Sequence, residues 1–570
     1  GAAGAAAGPP VEGGTVVVGV RTDFGPFNSI VNTDLITDEV INAPEHQELA
    51  HEAALAQMVL LENDDAALPL TADGSVAVVG PLSDTLYEDW YSGTMPYRVT
   101  ALDGLTERLG ADRVTTSEGV DAVALRVAET GAYLTAPTDD DGGQLTAGPG
   151  TAGPTETMSL FDWGQGVYAL RTEANGKYVS RGWDDVIRND QHQPNGWEVR
   201  ETFTVEDAED GTVLVRNVQN GRYLAVGDDG GVTAAAEVDG ATRFVLETLT
   251  DGAEEAVAVA AEADTAVVVV GNNPYINGRE TQDREDLALS PAQEELIAAV
   301  AEANENVVVV LMTSYPVTRP QDLPTVLWTS HAGQETGTAL ADVLLGDVSP
   351  AGRLTQTWYR SVEDLPESIL EYDIAQAGTT YQHFTGDPLY PFGHGLTYTE
   401  FAYSDVRLGA GEVAPDGTVE VAVDVTNTGE RDSDEVVQLY TRTLDAPVAQ
   451  PLQTLRDFAR VHVPTGETRT VTFALPAAEL AYWDVETDAE VVAPGRYEVL
   501  VGASSQDVRA SGELVVSGEV TPRVRDLTDG EDAVDFDSYE GVEIVDRSRT
   551  EGDSAGVSAG DWLAFHDVRF

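Results

Sequence analysis

The chain has 570 residues, 42% of them hydrophobic, and sets 31 Lys plus Arg against 99 Asp plus Glu for a formal charge of −68. A surface of that sign repels phosphate backbones and anionic membranes, so no nucleic acid and no membrane is expected as a partner. With no cysteine there are no disulfides, thiolate zinc sites or cysteine nucleophiles, and Lys177 is the only lysine. The acidity has two open readings, adaptation to high salt and codon bias in a GC-rich genome. The length exceeds what one core serves, so several domains are expected.

Residues 1–44 begin with an Ala/Gly run, Gly1 to Pro10, that has neither a basic leader nor a long apolar stretch, and read as a remnant or linker. From Glu45 to Val120 the pattern is helix, strand, loop, helix, strand: helical spacing over His46 to Met58, β-branched runs at Ser75 to Val79 and Arg113 to Thr116. This is the grammar of an α/β domain.

A repeat then takes over. Residues 124–134 read ALRVAETGAYL, 169–179 ALRTEANGKYV and 214–224 LVRNVQNGRYL, placing Arg126, Arg171 and Arg216, then Gly131, Gly176 and Gly221, then Tyr133, Tyr178 and Tyr223, each 45 residues apart. Each copy predicts a hairpin whose glycine takes positive φ. Three such units suit a β-trefoil, and the G-x-Y-[LV] motif resembles a fascin-like lobe, so 121–248 is expected as an inserted trefoil with the repeated tyrosines in its core. Sugar binding by it, through Trp183 or Trp197, is the minor reading.

The α/β pattern resumes over 249–400: helix Ala253 to Ala261, strand Thr265 to Gly271, helix Pro291 to Ala303, strands Val307 to Met312 and Thr325 to Thr329, helix Glu335 to Leu345. Alternation of this kind predicts an α/β sandwich with a mostly parallel sheet covered on both faces. From Phe401 the period is two, with Val419, Val421, Val423 and Val425 alternating with Glu420, Ala422, Asp424 and Thr426. A β-sandwich is expected over 401–519, a linker over 520–532 and the start of another β domain over 533–570.

The strand ending at Gly271 runs into a loop carrying Arg279, Glu280, Asp283 and Arg284. Loops at the carboxyl ends of parallel strands are where such sheets bind ligands. A carboxyl there serves as a general acid if its surroundings keep it protonated, and mixed charges serve equally as a solvated ion-pair network. Trp90 and Tyr91, in the loop after the first β-branched strand, either stack on a sugar or pack at the rim. His394 and His331 are read as structural, and Glu335 as a partner of a helix amino terminus.

Further blocks decide the resemblance. Glu280, Asp283 and Arg284 keep the spacing of the G-E-G-x-D-R pattern of family 3 glycoside hydrolases, although Arg279 and Thr281 replace its glycines, and Gly271-x-x-Pro274-Tyr275 is similar to exo-glucanase members. Ala53 to Asn63, Val76 to Pro81, Gly333 to Gly337, Gly346 to Leu354 and Pro391 to Thr399 resemble the family's blocks in the family's order, with Glu62 where the family has Lys. The resemblance implies that Glu280 is the acid/base of a retaining β-glycosidase, with Asp283, Arg284, Trp90 and Tyr91 as candidate substrate-binding residues and no metal or cofactor. It also implies an amino-terminal barrel whose S-D-W motif supplies the nucleophile. No Ser-Asp-Trp occurs here. A partner barrel, as domain or chain, and an oligosaccharide or polysaccharide substrate are therefore expected, as is little activity by this chain alone. The implied activity is exo-acting β-glucosidase first and β-xylosidase second, in a secreted protein, and the competing class is a non-catalytic carbohydrate-binding scaffold. The sandwich resembles the fibronectin type III-like domain that follows in this family. The stretch Gly541 to Phe565 resembles the start of a family 6 carbohydrate-binding module.

Overall fold

Six strands build the central sheet: β1 (Val59–Asn63), β2 (Val76–Val79), β3 (Val114–Ser117), β4 (Thr265–Gly271), β5 (Val307–Met312) and β6 (Thr325–Thr329), ordered β1-β6-β5-β4-β2-β3. The computed structural model describes residues 42–570 apart from 65–66, 72, 90, 281–283, 319–322, 367–372, 446–447, 485–488, 519–524, 527, 529–532, 535, 549, 551, 567 and 570. Strands β3, β2, β4, β5 and β6 pair in parallel, and β1 closes one edge antiparallel to β6. Edge strand β1 is absent from the sequence reading. It follows directly on helix α1 (Pro44–Ala56) with no glycine or proline between to mark the change.

Parallel strands need crossovers, and helices supply them. Along β4 and β5 the side chains alternate between two cores. Val267, Val269, Val308 and Val310 pack with α2 (Ala101–Leu109) and α5 (Thr336–Leu344). Ala266, Val268, Val270 and Val309 pack with α3 (Gly252–Glu262) and α4 (Pro291–Ala303). Burial on both faces is why these strands read as unbroken apolar runs. Each crossover helix starts at a side-chain cap. Thr100 forms a capping box with Asp103, Asp251 accepts from the Glu254 amide, and Ser290 accepts from the Gln293 amide beside Pro291.

Residues 121–250 form a separate twelve-stranded all-β unit between β3 and α3. Its first strand, Asp121–Val127, pairs with its last, Phe244–Thr250. The three sequence repeats are three hairpins of identical register: Arg126 faces Tyr133, Arg171 faces Tyr178 and Arg216 faces Tyr223. Gly131, Gly176 and Gly221 turn them at φ of 72°, 70° and 68°. The repeated tyrosines are not the core, contrary to expectation. The next residues are, with Leu134, Val179 and Leu224 at 2% exposure or less. In the outer copies arginine and tyrosine share a carboxylate, Glu247 for Arg126 and Tyr133, Glu206 for Arg216 and Tyr223. The middle copy turns the same pair outward: Arg171 bonds Glu118, and the Tyr178 hydroxyl meets the Tyr87 hydroxyl at 2.9 Å. Phe161, Trp163 and Tyr178 thereby join the α/β core.

Two larger sheets of the described residues build the β-sandwich. One holds Phe401–Tyr403, Arg407–Leu408, Thr418–Asn427 and Thr468–Pro476, the other Glu412–Val413, Ser433–Thr443, Thr454–Val463, Gly495–Gly502 and Val508–Val516. The alternating valines 419, 421, 423 and 425 lie in the core between them. Across the junction with the α/β domain, Arg353 pairs with Glu435 at 3.0 Å, both nearly buried, and the Tyr403 hydroxyl donates to Glu435 at 2.6 Å. Within the expected linker, Arg525–Asp526 forms a short strand parallel to Val568–Arg569. The last residues add two further strand pairs, Ser538–Glu540 with Trp562–Ala564 and Glu543–Ser548 with Gly552–Gly556.

Candidate active site

Because β2, β4, β5 and β6 are parallel, the loops that follow them gather at one edge of the sheet. The loop after β4 is seated with little freedom. A Cβ at Gly271 would meet the Met312 carbonyl oxygen 1.8 Å away, so only glycine fits there. The buried Gln293 side chain accepts from the Gly271 amide at 2.8 Å and donates to its carbonyl at 3.0 Å. Asn272 accepts from the Ser314 amide at 2.8 Å, tying the β4 and β5 loops together. The Asn273 side chain accepts from the Tyr275 amide at 3.0 Å, and the Asn277 side chain donates to the Trp163 carbonyl of the insert at 2.7 Å.

This framework delivers Glu280 to an exposed position at the mouth of the sheet. Tyr91, from the loop after β2, donates its hydroxyl to Glu280 Oε2, and that bond raises the tyrosine above its ordinary pKa. The Tyr91 loop is held in turn: Asp89 accepts from the Tyr91 amide at 2.7 Å, and the Tyr275 hydroxyl donates to the Asp89 carbonyl at 3.0 Å. Glu280, Tyr91, Asp89, Tyr275, Ser314 and Trp197 line a cavity of about 130 Å³. The cavity lining combines two acidic residues, Glu280 and Asp89, with several aromatic rings, the surface on which a sugar's hydroxyls and its apolar face are both matched.

Two of the five candidate residues thus come together, Glu280 and Tyr91. Arg284 does not hold Glu280. Its guanidinium donates to the Pro316 carbonyl at 3.1 Å, stacks 3.4 Å from the centre of the Tyr315 ring, and lines a neighbouring cavity. Asp283 and Trp90 lie outside the described residues. His331 bonds Asn272 at 3.1 Å, and burial pushes its imidazole down to about 4, so it is neutral near pH 7 and no proton donor there. His394 donates its Nε2–H to the Leu61 carbonyl, 2.9 Å away, and stacks on Tyr390. Glu335 stands at the start of α5, where its carboxylate takes the hydroxyls of Tyr97 and Thr338. Sequence reasoning left Asp89, Ser314 and Trp197 out of the site. The first two follow from the rule that loops at the carboxyl edge converge, whereas Trp197 comes from the insert and carries no such signal.

A sequence profile of the glycosyl hydrolase family 3 C-terminal domain matches residues 58–398, and one of the fibronectin type III-like domain matches residues 435–505. The chain belongs to glycoside hydrolase family 3. It is 39% identical over 261 residues to a β-xylosidase of Formosa agariphila, covering 45% of this chain and 36% of that protein. It is 37% identical over 276 residues to a β-glucosidase of Rhizobium radiobacter, covering 46% of this chain and 34% of that protein. The chain thus spans about a third of these relatives. Among solved structures it resembles a β-glucosidase from Streptomyces venezuelae in complex with D-glucose, with 27% identity, a TM-score of 0.60, and 83% of this chain and 60% of that one covered. A β-glucosidase from Kluyveromyces marxianus in complex with glucose gives 25% identity, a TM-score of 0.59, and coverage of 84% and 63%. In family 3 terms, the described part of this chain is the C-terminal α/β domain, carrying an all-β insert and followed by the fibronectin-like sandwich.

Proposed function

We propose that this chain is the acid/base-bearing portion of a retaining, exo-acting β-glycosidase that releases single sugars from non-reducing ends, β-glucosides first and β-xylosides second. The observation that carries the reading is the Glu280 carboxyl, exposed at the converging loops and bonded through one oxygen to Tyr91. With Oε2 occupied by the tyrosine, proton transfer to the glycosidic oxygen falls to Oε1. The same oxygen then takes the proton of the water that resolves the glycosyl-enzyme. Retention needs a second carboxyl about 5–5.5 Å from the first. An amino-terminal barrel, domain or chain, supplies that nucleophile, and Asp283, three positions on from Glu280 in the chain, is a substrate-binding candidate.

The insert is a fascin-like β-trefoil in this reading, supported by its three hairpins of common register. The terminal strands begin a family 6 carbohydrate-binding module, the sandwich gives support, and the protein acts outside the cell, where its acidic surface stays hydrated.

The test is turnover of aryl β-glucosides and β-xylosides by this chain alone and by this chain joined to its barrel. Hydrolysis is expected only with the barrel, and Glu280→Gln is expected to lower it by about 10²–10⁴-fold. Glycan retention without turnover in either form would make the protein a carbohydrate-binding scaffold instead.

A further inference from the structure

The insert reaches the Glu280 cavity. Gly196 and Trp197 form one wall of it, and the Arg279 guanidinium, next to Glu280 in the chain, donates to the Trp197 carbonyl at 3.0 Å. The Trp197 side of the cavity is firmly placed. The Glu201 carboxylate accepts from the Asn195 amide at 3.3 Å, and Arg200 donates to the Arg181 carbonyl at 2.6 Å, which holds both ends of the segment bearing the tryptophan. Half of Trp197 remains exposed, at 50%. Beyond it opens a second cavity of about 350 Å³, which shares Trp197, Tyr275 and Arg279 with the first and is lined further by Gln165, Glu198 and Gln219. That volume lies within the range of about 300–1,000 Å³ for small-molecule clefts.

A general acid stands on the leaving-group side of the bond it protonates. A sugar departing from Glu280 therefore lies in the cavity walled by Trp197, and further sugars on that side run on into the larger one. Its amides and carboxylate suit neutral hydroxyls, which both donate and accept. We propose that the insert builds the leaving-group subsites of this enzyme: Trp197 stacks on the departing sugar, and Gln165, Glu198 and Gln219 bind the next. The site is thereby directed to β-linked oligosaccharides rather than disaccharides or short glycosides. The inference rests on Glu280 being the acid, but its binding groups are testable without turnover.

Calorimetric titration of this chain with glucose, cellobiose, xylose and xylobiose tests it. A disaccharide, which fills both subsites, is expected to bind more tightly than its monosaccharide. Trp197→Ala should weaken that binding about two- to tenfold, the loss of one aromatic stacking contact, and Trp197→Phe should retain it. Gln219→Ala should weaken the disaccharide while leaving the monosaccharide unchanged. Equal affinity for both lengths, a Trp197→Ala chain that binds as the parent does, or no saturable binding at millimolar sugar would each overturn the proposal. Failure of the acid assignment has a different signature, undiminished turnover by Glu280→Gln in the barrel-joined protein with these affinities unaltered.

Discussion

Tyr87 and Tyr178 fasten the insert to the α/β domain through hydroxyls 2.9 Å apart, with the residues only 4% and 3% exposed. Burial pushes the Tyr87 hydroxyl well above its ordinary pKa, so the contact is neutral across the working range. Tyr87→Phe keeps the ring, which meets Trp163 edge-on with centroids 5.8 Å apart, and removes only the oxygen. The Tyr178 hydroxyl is then left buried without its partner, at a cost of about 1–3 kcal/mol. Tyr178→Phe does the same to Tyr87. Replacing both leaves no orphan, and the double variant is expected to lie within about 1 kcal/mol of the parent. At about 2.1 cal/mol/K of unfolding entropy per residue, the roughly 350 residues of α/β domain and insert shift by about 1.4 °C per kcal/mol, so each single change should lower the midpoint of their shared transition by about 1.5–4 °C, and the double change should restore most of it. Differential scanning calorimetry of the four proteins gives the coupling directly. A double variant that loses as much as the two singles together would show that the hydroxyl pair is not what joins the two parts.

The buried Arg353–Glu435 pair predicts a larger loss. Arg353→Met strands a carboxylate at the junction with the sandwich and should cost about 3–5 kcal/mol by urea denaturation, with much of it recovered on adding Glu435→Leu. Burial pushes the Glu201 carboxyl up to about 7. The folded state then keeps a proton that the unfolded chain has released, so stability falls by roughly 3 kcal/mol as pH rises from about 4.5 to about 7. Glu201→Gln should flatten that part of the profile, read as the unfolding midpoint against pH. His331 works in the other direction. With its imidazole held down to about 4, the unfolded chain takes up a proton first, and stability is lost as pH falls from about 6.5 toward 4. Its ring resonances should stay fixed between about pH 5 and 8, and a midpoint near the ordinary histidine value would contradict the burial seen at Asn272.

The strands Thr265–Gly271, Val307–Met312 and Thr325–Thr329 were legible because a strand buried on both faces must be apolar throughout, and caps at Ser290 and Asp251 mark the helices between them. Edge strand Val59–Asn63 was not. Its apolar run follows a helix directly, and what makes it a strand is pairing with Thr325–Thr329, far along the chain. Glu280 and Tyr91 were each placed in loops from local pattern, yet nothing local indicates that one bonds the other. The threefold repeat showed its register in the sequence. It could not show that the middle copy, with the same Arg and Tyr, spends them on Glu118 and Tyr87 outside the unit. Trp197 reaches the Glu280 cavity only because of that docking, which is a tertiary event with no sequence period.

The chain enters and leaves the insert at nearly one point. The Gly252 amide donates to the Asp121 side chain at 2.9 Å, and a Cβ on Gly252 would meet the Val120 backbone at 2.4 Å. Strand β3 and helix α3 therefore stand where a direct crossover would put them, as if residues 121–250 were a closed side loop on an otherwise continuous thread. A short bridge in place of that loop leaves every pairing of the central sheet untouched. The host domain can accordingly lose, exchange or lend this passenger without any change in the order of its strands.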